Sequence, residues 1–196
     1  VKGKTRDASV PFGNGALMAG GMGSLDGPDE LGRSGKHRNR YTVNIKGNES
    51  VVEKIAAGAV PVRYDDPTDI STLRVLIVRR SAVDDPWSVP KGGVVEGESP
   101  LEAAMRITRD KAGVYNSEHV GTLGWILRKK RHKSIAISTF ILRVLELGNV
   151  SSVLHERSRK WVTFPEAIDL AIGSSNSFTI DALERAKRSK RVLEHG

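Results

Sequence analysis

With 196 residues, 38% of them hydrophobic and no cysteine, the chain is long enough to bury one core, and it excludes disulfides and thiolate metal sites. Its formal net charge of +8 and pI near 9.9 favour polyanionic partners such as nucleic acid, inositol phosphates or a ribonucleoprotein surface, the plainer alternative being general solubility. No apolar run reaches the length that crosses a bilayer as a helix.

Residues 1–50 read as a Gly-rich, basic N-terminal extension. Ten of the 20 glycines fall here, and the apolar residues are too sparse and unperiodic for a core. A low-complexity stretch, GNGALMAGGMGSLDG, precedes the basic residues Arg33, Lys36, His37, Arg38 and Arg40. Such a segment is either a disordered leader or an arm that orders on a polyanion. The chain opens on Val1 without an initiator methionine, as expected of a processed or truncated product, and no signal peptide is recognisable.

Globular patterning begins at about Val51, and residues 51–175 are expected to form the domain. Val51 to Tyr64 predicts a strand pair or one long bent strand, with Gly58 and Pro61 as irregularities. The turn cluster Asp65-Asp66-Pro67-Thr68-Asp69 leads to a buried strand at Leu73 to Arg79, and Asp84-Asp85-Pro86 turns the chain again. Pro90-Lys91-Gly92-Gly93 then predicts a tight loop whose glycines let backbone approach a ligand closely.

A helix follows. Ser99 suits the N-cap, Pro100 the first helical position, and Glu102 completes a capping box, while Gly113 sits where a left-handed stop is wanted. Leu101, Ala104, Met105, Thr108 and Ala112 recur at helical spacing and predict the packed face. Two strands are expected next, Val120 to Leu127 and Ile135 to Leu147. Their connector, Arg128-Lys129-Lys130-Arg131-His132-Lys133, holds five Lys or Arg among six residues and predicts phosphate contact, with no aromatic residue to stack on bases. Trp161 to Ala167 starts a helix running to about Ile172, with Glu166 in its first turn, favourable for the helix dipole. Residues 176–196 are read as a basic C-terminal helix capped by Asn176-Ser177. Ile180, Leu183, Ala186 and Val192 are its expected packing positions, and Arg185, Lys187, Arg188, Lys190 and Arg191 lie on the other side.

The stretch Trp87 to Val114 resembles the Nudix box, the signature of the Nudix hydrolase superfamily: Gly, five residues, Glu, seven residues, Arg-Glu-apolar-any-Glu-Glu-any-Gly-apolar. Gly92, Glu98, Arg106, Gly113 and Val114 fall in register with it. The flanking WSVP and WVTFPEA segments extend the likeness from about Val51 to Ile172. It implies an α/β Nudix fold: a mixed, curved sheet sandwiched between helices, here with a basic N-terminal arm and a basic C-terminal helix.

The resemblance also implies a metal site, because the family's three carboxylates at positions spaced i, i+3, i+4 share one helix face and hold divalent cations against a diphosphate. Here those positions are Ile107, Asp110 and Lys111. Ile107 cannot ligate and Lys111 repels a cation, so the box is read as degenerate, with no catalytic residue assigned and Glu98 and Asp110 as the residual metal candidates. Glu98 and Arg106 are expected to pair and brace the loop. The five histidines are scattered without ligand spacing, and neither a P-loop nor a Gly-x-Ser-x-Gly elbow is present.

The leading expectation is a catalytically degenerate Nudix domain acting as a structural or RNA-contacting component of a ribonucleoprotein. The mitochondrial ribosome is its concrete form, because mitochondrial large subunits contain a Nudix-like protein. That places the chain in mitochondria, or otherwise in the cytoplasm or nucleus, with RNA and ribonucleoprotein proteins as partners and no membrane. The expected phosphate contacts are Arg33, Lys36, Arg38, Arg40, Arg128, Lys129, Lys130, Arg131, Lys133, Lys187, Arg188, Lys190 and Arg191. The alternative is a magnesium-dependent pyrophosphohydrolase acting on diphosphoinositol polyphosphates or dinucleoside polyphosphates. A non-hydrolytic sensor of a polyphosphate ligand is a third reading.

Overall fold

Helix α1 (Pro100–Ala112) forms because its ends are specified locally. The Ser99 side chain accepts from the Glu102 N–H, the Glu102 carboxylate accepts from the Ser99 N–H at 2.7 Å, and Gly113 closes the helix at φ 69°. The second helix, α2 (Phe164–Gly173), repeats the device with Thr163 and Glu166. The third, α3 (Ser177–Arg188), starts at Asn176, whose side chain accepts from the Thr179 N–H at 3.4 Å. The computed structural model that gives these elements describes residues 40–45, 47–66, 69–80, 85–130, 133–148 and 157–189.

Strands β1 (Tyr41–Ile45) and β2 (Asn48–Val52) pair as an antiparallel hairpin. The boundary expected at residue 50 thus falls inside β2, and strand structure is present on both sides of it. Their Val43 and Val52 are buried against Ala136, with Ile45, Ile55 and Trp125 packed alongside. These apolar residues are diluted among polar ones, which is why the stretch reads as an extension.

The main sheet comprises β3 (Lys54–Tyr64), β4 (Leu73–Arg80), β5 (Lys91–Gly93), β6 (Val114–Lys130), β7 (Lys133–Leu147) and β8 (Arg157–Val162). Its order is β6-β7-β3-β4-β8, with β5 added against β3. The β3–β7 pairing is parallel and the others are antiparallel. Pro61 is tolerated in the central strand because the antiparallel partners of β3 are β5 at Ala56–Gly58 and β4 at Val62–Tyr64. The missing N–H falls in the gap between them.

Alternation along β3 supplies two cores. Ala56, Val60 and Val62 face Phe178, Ala182, Leu183 and Ala186 of α3, together with Phe164 and Ala167 of α2. Ala57 and Ala59 face Ala103, Ala104 and Ile107 of α1, with Phe140 and Leu142. The sheet is thus mixed and lies between helices, as the resemblance implies. Strand β6 begins immediately after Gly113, six residues before the expected start at Val120.

Candidate functional site

The site implied by the box is built where β5 and the following loop cross α1. Glu98 and Arg106 are paired: Nε of Arg106 donates to Oε2 at 2.9 Å and Nη2 to Oε1 at 2.5 Å. The same Nη2 donates to the Gly93 carbonyl at 3.2 Å, and the Val95 N–H donates to Oε1 at 2.7 Å. Hydrogen bonds from Arg106, then the Val95 N–H, lower the Glu98 carboxyl from 4.5 to about 2. The Glu98 side chain is only 14% exposed. Three of its roughly four lone-pair sites are therefore used in bracing the loop against the helix, as expected.

Ile107 departs furthest from a ligand position. It is 3% exposed and packs with Ala57, Ala59, Ala103, Ala104, Phe140 and Leu142. A Cβ on Gly92 would meet Ile107 Cδ1 at 3.0 Å and Cγ1 at 3.1 Å, so β5 lies directly on this side chain and has no room for one more carbon. Sequence spacing placed Ile107 on the same face as positions 110 and 111. The structure makes it a core residue that was missing from the expected packed face, as was Ala103.

Lys111 points back to β5, and its Nζ donates to the Lys91 carbonyl. Asp110 is exposed and lies among cations, 3.8 Å from Arg106 Nη1 and 3.5 Å from Arg109 Nε. Lys54 adds another basic side chain nearby, its Cε coming within 3.8 Å of where a Gly93 Cβ would stand. Sequence reasoning missed Lys54, which the β3–β5 pairing sets beside Gly93, and the Lys91 carbonyl, which no side-chain pattern marks as the partner of Lys111.

Magnesium requires about six hard oxygen ligands in near-octahedral geometry. Among the described residues no three His, Cys, Asp or Glu gather to hold a metal ion. Two unit charges of like sign about 4 Å apart repel by about 4 kcal/mol at an effective dielectric near 20, and roughly twice that for a divalent ion. With Ile107 buried, Glu98 paired with Arg106 and an ammonium on the Lys91 carbonyl of β5, the donors present do not fit the metal.

The expected phosphate contacts are dispersed. Arg128 donates to Asp181 Oδ2 at 2.6 Å and to the Ser177 carbonyl at 2.7 Å, which staples β6 to α3. Arg185 does the same work from the helix, donating to the Leu123 and Trp125 carbonyls at 3.1 and 3.0 Å. Lys129 and Lys133 are exposed near the end of the β6–β7 hairpin, and Lys187 and Arg188 are exposed on α3, with Arg188 3.5 Å from Glu184. Arg40 is exposed just before β1. Arg33, Lys36, Arg38, Arg131, Lys190 and Arg191 lie outside the described residues, as does the side chain of Lys130. No described helix is long and apolar enough to cross a membrane.

Comparisons with known proteins converge. The NUDIX domain model matches residues 53–181. Nudix hydrolase 21, chloroplastic, of Arabidopsis thaliana is 33% identical over 155 residues, which is 79% of this chain and 73% of that protein. Diphosphoinositol polyphosphate phosphohydrolase 3-alpha of Mus musculus is 33% identical over 96 residues, or 48% of this chain and 57% of the relative. Among solved structures, a C. elegans Ap4A hydrolase binary complex is similar with a TM-score of 0.54 at 19% identity, covering 68% of this chain and 95% of that one. A NUDIX hydrolase from Nitrosomonas europaea gives 0.56 at 14% identity, covering 68% and 88%. At those identities the structural likeness speaks to the fold.

Proposed function

This chain belongs to the Nudix family, and on that premise we propose that it is a member which has given up metal-assisted hydrolysis and serves as a structural, RNA-contacting part of a ribonucleoprotein, the mitochondrial ribosome first among candidates. Hydrolases of the family generally use magnesium. The observation that carries the proposal is the neutralised box: the Lys111 ammonium on the Lys91 carbonyl, beside an Ile107 buried beneath Gly92. A helix face that should concentrate negative charge carries an apolar residue, one carboxylate among arginines and a lysine. Support for the RNA role comes from the net charge of +8 and from exposed Lys129, Lys133, Lys187 and Arg188.

A second reading has its own support. Glu98 and Asp110 remain, and relatives carry the names of diphosphoinositol polyphosphate phosphohydrolases and an Ap4A hydrolase. Under that reading the chain cleaves a diphosphate in such a molecule with magnesium held by the remaining carboxylates.

Phosphate release separates the two. The full chain, incubated with magnesium or manganese and either diadenosine polyphosphates or diphosphoinositol polyphosphates, is expected to give no turnover above the protein-free control. Turnover comparable to that of an intact family member establishes the second reading and rejects the first.

A further inference from the structure

The main sheet ends in β6 on one side and β8 on the other, and the two edges are built differently. Along β6 the carbonyls of alternate residues are covered by guanidinium groups. Arg185 Nη1 donates to Leu123 and Trp125 at 3.1 and 3.0 Å, and Arg128 Nη1 donates to Leu127 at 2.8 Å. Earlier in the strand, register shifts break the ladder between Val114 and Gly124. Covered carbonyls and bulges of this kind keep foreign strands off an edge.

The β8 edge has no such cover among the described residues. Its six residues pair with β4 from Arg157 opposite Arg80 to Val162 opposite Val75, without a register shift. Val78 exchanges both backbone hydrogen bonds with Ser88 at 2.9 Å, on the side of β4 away from β8. Alternation then turns the backbone of Val75, Ile77 and Arg79 toward β8, and the N–H and C=O groups of Arg157, Arg159 and Trp161 outward. Among the described residues no backbone hydrogen bond reaches those three.

Charged side chains that project from an edge also deter strand addition. Those of Arg159 and Lys160 fold back onto the body instead. Arg159 donates from Nη1 to the Ala112 carbonyl at 2.8 Å and from Nη2 to the Gly148 carbonyl at 2.7 Å. Lys160 Nζ lies 4.5 Å from the Trp87 ring centroid, and Arg63 Cζ lies 4.4 Å from that of Trp161. Carbonyls and a ring leave both positive charges in place. Glu166, whose carboxylate feels Lys160, is held first by its hydrogen bonds with Thr163.

We propose that the β8 edge takes an extended acidic segment of a partner protein as an added strand, through the outward backbone of Arg157, Arg159 and Trp161. Arg159 and Lys160 are adjacent in the strand and stand on opposite faces of the sheet. An added strand presents its own side chains to both faces in turn, so carboxylates on either side of it meet a cation. A second copy of this chain fits poorly, because antiparallel addition of β8 to β8 about Arg159 sets that cation against its counterpart. The site does not depend on the RNA contact proposed above.

The test uses the full chain and a fluorescein-labelled peptide with the core Val-Glu-Glu-Thr-Glu-Glu-Val, whose glutamates fall on both faces of a strand. A second peptide carries lysine in place of each glutamate. Binding is followed by anisotropy, and amide exchange in the chain by nuclear magnetic resonance. The glutamate peptide is expected to bind and the lysine peptide is not. With the glutamate peptide at about ten times its Kd, exchange at the Arg159 and Trp161 N–H groups is expected to slow about tenfold, following the fraction of empty edge. Ser158 and Lys160, whose amides already face β4, are expected to change far less. Failure of the glutamate peptide to bind, equal binding of the lysine peptide, or binding that leaves the Arg159 and Trp161 amides exchanging as before would overturn the site.

Discussion

At the scale of single residues, two side chains in the box act in opposite ways on stability. Ile107 is a buried packing residue, so Ile107→Ala should cost about 2 to 4 kcal/mol in denaturant unfolding. A cost near zero would mean that Ile107 does not fill the space under Gly92. Glu98 works through charge. Its carboxyl titrates near 2 in the folded chain against an ordinary 4.5, so its pairing contributes fully above about pH 4.5 and is lost as pH falls toward 2. Glu98→Gln should therefore destabilise the chain at neutral pH and flatten the fall of stability between pH 4.5 and 2. An unchanged acid limb would show that Arg106 does not hold the carboxylate. The sequence revealed that Ile107 cannot ligate a metal. Its burial was hidden, because the partners Gly92, Ala57 and Phe140 come from other strands.

At the scale of elements, the helices were legible because their ends are written locally. The capping boxes at Ser99 and Thr163, the prolines after them and Gly113 each act within a few residues. Ser99→Ala should lower stability by about 1 kcal/mol, read as a shift of the unfolding midpoint. Retention of wild-type stability would mean that the cap at α1 is not used. Strands were less legible where the polar pattern masked them. Residues 115–119, Tyr-Asn-Ser-Glu-His, show no alternation of apolar residues, yet they continue β6, which is an edge strand with a solvated side. The hairpin β1–β2 was hidden among the glycines and charges that precede it. Arg128 and Arg185 show a related limit: both read as free basic charge, and each is committed to holding α3 against β6.

At the scale of the whole molecule, the net charge of +8 is carried on a fold whose relatives include proteins named for hydrolysing polyphosphates. The proposed role in a particle predicts that the chain sediments with large ribonucleoproteins in an organelle lysate and is released by high salt or ribonuclease. Migration only at the size of free protein would contradict it. Everything about catalysis turns on whether α1 and its loop hold a divalent cation, and calorimetric titration of manganese into the full chain asks this directly. No saturable binding is predicted for the unaltered protein, with binding gained in Lys111→Glu. Stoichiometric binding by the unaltered chain, abolished by Asp110→Asn, would contradict it.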